Sequence, residues 1–333
     1  MPTHERLSPF RRGLAAVLLL IATVCNVLVM WVPYMTLNLG TSSTDYSLVT
    51  SVSMLWESKL FVLAILVVGF SIIFPFAKLL ALWSFIYWPQ SNAWRIQLLG
   101  LVERFGKWSM LDVYLVCLLM ALTSNQFFVG NQPLIGTPLF IIAIVFSMVA
   151  GEIIASGVIK TTPPATAPAS PPPGRIFLLI AISAILLGGI ISIPFLIIDD
   201  WLLRDHPYSI LTLVPTLLQE GSQSMAAVVI AFLIFTPVWS WFASFHLWLR
   251  MRRGQRPAAL ITRVHLLRRW SMLDVFGLAL GVFLIEGKSM MTTEVSYGAL
   301  LLVIGLGCQW VIHLAIDHHL ARRAKQQTSS AES

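Results

Sequence analysis

A lysine inside a long apolar run is the first residue of this chain that could do chemistry. Lys78 lies within the run 60–88, and an ammonium at mid-bilayer costs about 2.5–3.5 kcal/mol on insertion scales. Pro75, three residues earlier, lacks an N–H and frees the carbonyl of Ser71, so that turn must bend or unwind. A cation beside a broken helix can serve as counter-charge for an anionic lipid headgroup, or as partner to Asp112, Asp274 or Glu152. The competing reading is that its stem lets the ammonium snorkel to the cytoplasmic interface. A matching break falls at Pro237, with Ser240 in the lysine's place.

Two carboxylates come next. Asp112 and Asp274 each follow a serine by three residues, in Ser109-x-x-Asp112 and Ser271-x-x-Asp274. That is the spacing of a capping box, with the serine on an orphan N–H and the carboxylate at the positive end of the helix dipole. Aspartates at a membrane edge can also pair with a cation or relay a proton. Trp108 and Trp270, directly before the serines, suit the headgroup belt. Glu286 and Lys288 flank Gly287 on the expected periplasmic side, as a solvated pair or as a contact for a partner or an exiting lipid. Glu152 reads as an interfacial residue near Lys160. His313 and Asp317, with His318 and His319, read as a solvated helix end rather than a metal site. Cys25, Cys117 and Cys308 sit inside apolar runs without any C-x-x-C, so neither a disulfide framework nor a zinc ribbon is expected. No cofactor is expected.

These residues must be positioned by elements in a membrane. Of 333 residues, 57% are hydrophobic and 11% charged, with a mean hydropathy of +0.81. A soluble domain carries roughly 25% charged residues, so a cytosolic enzyme, a secreted disulfide scaffold and a disordered chain are excluded. The net charge of +7 then reports membrane orientation rather than nucleic acid. Apolar runs at 14–35, 60–88, 109–124, 134–156, 176–198, 224–249, 271–285 and 297–316 predict eight transmembrane helices. The first run lacks an A-x-A site, which argues against a cleaved signal. With both termini cytoplasmic, the inner segments hold 18 Lys or Arg and the outer loops 3, with Lys78 inside a span. That is the positive-inside pattern.

The hexapeptide at Trp108–Val113 recurs at Trp270–Val275, an offset of 162 residues. The same offset carries Tyr46–Thr50 onto Tyr208–Thr212, Pro75 onto Pro237 and Lys107 onto Arg269. The expected fold is therefore all-α and integral to the membrane, with two tandem four-helix repeats of like topology. Its parts are a cytoplasmic N-terminal segment (1–13), a first unit (14–158), a proline-rich linker (159–175), a second unit (176–318) and a cytoplasmic tail (319–333). The linker core, TTPPATAPASPPPG at Thr161–Gly174, reads as extended chain. Asn92–Lys107 is expected to form an interfacial amphipathic helix, and the loop 250–269, with seven Arg and no acid, to hold lipid headgroups. Thr36–Lys59 and Asp199–Gln223 are the long outer loops, where a periplasmic partner would dock.

Lys107-Trp-Ser-Met-Leu-Asp-Val-Tyr114 and Arg269-Trp-Ser-Met-Leu-Asp-Val-Phe276 resemble the hallmark of the paraquat-inducible protein A family of Gram-negative inner membranes. The resemblance spans essentially residues 14–318. It implies an inner-membrane partner of periplasm-spanning MCE-domain proteins, moving phospholipids between the two membranes and supporting envelope integrity. Family members usually carry zinc-ribbon cysteines ahead of each unit, and this chain has none. Many also have a lysine sixteen residues past the motif tryptophan, where this chain has Ser124 and Glu286. No phosphate-binding glycine loop, ATPase motif or Ser/His/Asp set is present, so no enzymatic activity is expected and transport must draw on a partner or a gradient. Two other functions fit the composition: a tetraspanin-like scaffold that anchors an MCE partner without transporting, and a proton-coupled exporter of small molecules. Nucleic acid is not expected as a partner.

Overall fold

The computed structural model describes residues 8–39, 42–57, 59, 61–87, 100, 106–123, 129–158, 174–199, 205–255, 258–287, 293–312 and 314. They belong to two compact units. The first comprises Met1–Lys160, Pro215–Ala227 and Leu278–Met290; the second comprises Thr161–Val214, Val228–Gly277 and Met291–Ser333.

In the first unit, helix α1 (Pro9–Trp31) starts where Ser8 Oγ accepts the Arg11 N–H at 3.4 Å and Pro9 takes the first helical position. It stops at Val32, whose backbone is extended because Pro33 follows. The chain then enters a small antiparallel sheet. Strand β1 (Met35–Leu39) lies between β2 (Ser42–Tyr46) and β3 (Val129–Pro133), with Met35 opposite both Tyr46 and Pro133. Helix α2 (Leu48–Glu57) opens with a reciprocal cap: Ser47 N–H donates to Thr50 Oγ1 at 2.7 Å, and Thr50 N–H to Ser47 Oγ at 3.3 Å. There follow α3 (Phe61–Val67), a π-helical segment (Val68–Ile73), α4 (Phe74–Tyr87), a 3-10 turn (Gly106–Met110), α5 (Leu111–Thr123) and α6 (Gly136–Val158).

The core of this unit forms where α1, α4 and α6 meet, around Leu19, Leu79, Leu82 and Ile154. Ala15, Ala22 and Ala150 are fully buried there, and such small residues let helix backbones approach closely. The opposite face of α1 exposes Val17, Leu20, Val24, Val27 and Leu28. A helix apolar on both its packed and its open face is one whose solvent is lipid.

The second unit has helix α7 (Gly174–Ser192), strands β4 (Leu196–Asp199) and β5 (Asp205–Tyr208), and helix α8 (Ile210–Gln219), which crosses the division at Pro215. Helix α9 (Gln223–Val228) runs through a second π segment (Val229–Phe235) into α10 (Thr236–Arg252). Helix α11 (Ala258–Trp270), strand β6 (Thr293–Val295) and helix α13 (Tyr297–Ile312) complete it, while α9 up to Ala227 and α12 (Leu273–Gly287) from Leu278 on belong to the first unit. The sheet order β5-β4-β6 repeats the pattern β2-β1-β3. Helix α8 opens like α2, with Ser209 N–H on Thr212 Oγ1 at 2.7 Å and Thr212 N–H on Ser209 Oγ at 3.2 Å. Ile176, Ile180, Trp248 and Ile312 form a core cluster, and Trp241 Nε1 donates to the Ile180 carbonyl at 2.9 Å.

The expectation of eight transmembrane helices in two four-helix repeats is overturned. Among the described residues, four helices are long and apolar enough to cross a membrane: Pro9–Trp31, Val68–Tyr87, Gly136–Ser156 and Gln223–Arg252. The other runs divide their apolar residues among different elements. The run 109–124 begins in a 3-10 turn, leaving α5 with 13 residues, about 20 Å of helix against a hydrocarbon core of about 30 Å. The run 176–198 breaks at Pro194, and Leu196–Asp199 becomes a strand. The run 271–285 gives α12 only 15 residues, about 22 Å. Helix α13, from the run 297–316, falls among the shorter apolar helices. The six short strands among the described residues were not anticipated either.

Candidate functional site

Both prolines widen the helices that contain them. Pro75 and Pro237 have no N–H, and each ring would clash with the carbonyl four residues back. The chain responds with a π turn just before each. Phe74 N–H bonds the Gly69 carbonyl, and Thr236 N–H bonds the Ala231 carbonyl, each five residues back. Thr236 Oγ1 donates to that same Ala231 carbonyl. The offset of 162 carries Phe74 onto Thr236, so the two breaks are equivalent in sequence. Such π segments often mark functional positions. Within the first, Ser71 is 3% exposed and its Oγ has no hydrogen-bond partner.

Lys78 follows this break near the middle of the Val68–Tyr87 span and is 3% exposed. Its amine is turned into the protein. Its Nζ donates to Ser147 Oγ on α6 at 2.9 Å, and that hydroxyl donates onward to the Ile144 carbonyl at 2.8 Å. An ammonium has three protons to donate, and the described partner for them is this hydroxyl rather than a carboxylate. Gly106 lies against the amine, where an added Cβ would come 3.6 Å from Nζ. Gly106 opens the 3-10 turn that carries the motif tryptophan, and this turn packs against the π segment, α4 and α6. Ser109, 2% exposed, donates from Oγ to the Gly106 carbonyl at 2.9 Å and holds the turn in place. The site is thus a buried lysine amine with the Ser147 hydroxyl and the side-chain-free backbone of Gly106 against it.

Trp108 anchors the turn from its other side by stacking on Phe70 of the π segment, with ring centroids 6.3 Å apart. The equivalent residues of the second unit repeat the contact: Phe232 stacks on Trp270 at 5.9 Å. A double-mutant cycle of Phe70→Ala and Trp108→Ala is expected to show a coupling of about 0.5–1.5 kcal/mol, read as thermal unfolding in detergent. Additive losses would mean that the stack is incidental. The second unit lacks the cation. Ser240 occupies the lysine's position, 8% exposed, and its carbonyl accepts from Ser244 Oγ at 2.8 Å.

The other candidate residues are distributed as follows. Among the described contacts, Ser109 Oγ donates to the Gly106 carbonyl, and Ser271 precedes α12 with its N–H on the Leu267 carbonyl at 2.9 Å. In the second unit the carboxylate takes over, with Asp274 Oδ1 accepting the Val275 N–H at 3.0 Å. Asp112 lies in the first turn of α5 and Glu286 in the last turn of α12; their side chains lie outside the described residues. So do Lys288, Ser124, His313, Asp317, His318, His319, Lys160, the linker core at 161–173 and most of the Asn92–Lys107 segment. Glu152 is half-buried near the end of α6. Cys25 and Cys117 are buried and Cys308 half-buried, and all three are free.

Sequence reasoning named Ser71 for its carbonyl but not its hydroxyl, and missed Gly106, Ser147 and the two phenylalanines. Only the phenylalanines carried a signal, since the same offset of 162 relates Phe70 to Phe232.

Long helices with apolar outer faces, one of them turning a lysine inward, define a multi-pass membrane protein. The family model described as paraquat-inducible protein A (PqiA) matches residues 14–159 and 175–324. The chain therefore belongs to that family. No curated protein and no solved structure matches it.

Proposed function

We propose that this protein is the inner-membrane component of an intermembrane phospholipid transport system, working with a periplasm-spanning MCE-domain partner. Membership of the family supports a membrane role in envelope and lipid processes. The observation that carries the finer reading is Lys78. A lysine at mid-span, 3% exposed and held by a serine hydroxyl, is a costly placement that an acidic headgroup would offset. The π segment supports the same reading, because interrupted helices are where membrane carriers build central sites. The role is transport without catalysis, and no cofactor takes part. Energy comes from the partner or from a gradient.

The N-terminal end of α1, with Arg11 and Arg12, and the C-terminal end of α10, with Arg250 and Arg252, face the cytoplasm in this reading. The β1–β3 sheet follows the far end of α1 and so lies on the periplasmic side, where the partner docks. Copurification from envelopes is the test: an MCE-domain protein should accompany the chain, and mass spectrometry should find phospholipid in the complex. A preparation that repeatedly yields the chain without such a partner would count against the proposal.

A further inference from the structure

The hairpin of α10 and α11 carries a surface of another kind. Helix α10 ends in a Schellman turn: Gly254 adopts φ 73°, its N–H bonds the Met251 carbonyl at 3.1 Å, and Gln255 N–H bonds the Arg250 carbonyl at 3.0 Å. Only glycine takes that φ without strain. The reversal lays α11 back along α10, where Val264 packs with Leu247 and Met251. That contact uses one face of α11. The other face leaves Arg263 exposed, with Leu266 one turn further on at 38% exposure.

At the turn, Arg250, Arg252 and Arg253 are exposed as well. The Arg252 guanidinium lies 5.5 Å over the Trp248 ring, which orients it. Residues 250–269 contain seven arginines and no acidic residue. Among the described residues, Arg250, Arg253 and Arg263 have no acidic partner. Arg250, Arg252 and Arg253 stand at the C-terminal end of Gln223–Arg252, a helix long and apolar enough to cross a membrane. An exposed leucine beside an exposed arginine on α11 offers a lipid an apolar and a cationic contact together.

We propose that this hairpin is a binding site for anionic phospholipid headgroups of the surrounding leaflet, with Arg250, Arg252, Arg253 and Arg263 as the donors. It is separate from the Lys78 site: it holds leaflet lipid at the membrane surface, whether or not the protein transports any. A soluble polyanion such as RNA fits less well, because it would leave Leu266 in water and gain nothing from the neighbouring hydrocarbon.

The test is lipid binding to the detergent-purified full chain, by native mass spectrometry and by thermal stabilisation. Phosphatidylglycerol should bind at least tenfold better than phosphatidylcholine. Each basic residue near an anionic surface is worth about fivefold in affinity, so the triple variant Arg250→Gln, Arg253→Gln, Arg263→Gln should lose most of the preference. The matching triple Arg→Lys variant should retain it, which separates charge from any effect on folding. Arg11→Gln with Arg12→Gln, at the other end of the chain, should leave it unchanged. The proposal is overturned if the unmodified chain shows no preference, if the glutamine variant keeps it, or if the lysine variant loses it as fully. It also fails if inorganic phosphate competes at matched concentration, which indicates a free-anion site, or if an RNA oligonucleotide binds more tightly than phosphatidylglycerol.

Discussion

Replacing Lys78 by alanine should lower phospholipid transfer to the MCE partner by about ten- to a hundredfold at equal expression. Hydrogen bonds to a charged group are worth about 1.5–3 kcal/mol, and the ammonium is the cation described at mid-span in the first unit. The substitution takes from the Ser147 hydroxyl the donor it accepts from but leaves its own donation to the Ile144 carbonyl, so that hydroxyl keeps one hydrogen bond. It also removes a buried charge that costs about 2.5–3.5 kcal/mol to place in a membrane, so the folded protein should be no less stable than before. A transport defect with undiminished stability therefore points to the charge itself. Lys78→Arg is not a conservative control: the guanidinium is a larger planar fork, and Gly106 already stands against the amine. Unchanged transfer by Lys78→Ala removes the residue from the mechanism and favours the scaffold, which predicts tolerance at Lys78 and sensitivity in the periplasmic loops.

The second large effect is structural. Gly136→Ala and Gly298→Ala should each destabilise the protein by about 2–3 kcal/mol, the upper range for overpacking. Gly136 donates its N–H to the Pro33 carbonyl at 3.2 Å, and Gly298 donates to the Pro194 carbonyl at 3.1 Å. An added Cβ at 136 would meet the Pro33 oxygen at 2.5 Å, and at 298 it would run into the Pro194 oxygen. The neighbour in each case is backbone and cannot rotate away. Both glycines join a helix start to the chain entering a sheet, so a shift would be passed to β1 or β4. Gly188 gives the contrast: it sits in α7 with nothing within 4 Å of its built Cβ. Gly188→Ala should stabilise by up to about 1 kcal/mol, since alanine loses less backbone freedom in a helix. Thermal unfolding in detergent measures all three. Equal melting of the Gly136 and Gly298 variants with the parent chain would refute the close approach.

The capping motifs show how far local spacing could be trusted. The S-x-x-D pattern pointed to caps at Ser109 and Ser271, yet the reciprocal caps form at Ser47 with Thr50 and at Ser209 with Thr212. Those residues were visible as a repeated stretch, but a Ser-x-x-Thr pair is a weaker sequence signal than Ser-x-x-Asp. Ser109 Oγ gives its proton to the Gly106 carbonyl and so braces the turn that stands against Lys78.

The sequence by itself determined the solvent, the family and the breaks. Composition excludes an aqueous surface, the repeated Trp-Ser-Met-Leu-Asp-Val motif is specific, and proline cannot avoid interrupting a helix. Each of these depends on the residue or its immediate neighbours. Tertiary structure decided how many apolar runs become long helices, because hydropathy states how apolar a segment is but not where its backbone hydrogen bonds go. Leu196–Ile198 is apolar enough to extend a helix, and it pairs instead with Tyr208 and Val295. Strand pairing of this kind joins residues as distant as Met35 and Pro133. The inward turn of Lys78 was settled in the same way, by a hydroxyl that folding brings from 69 residues away.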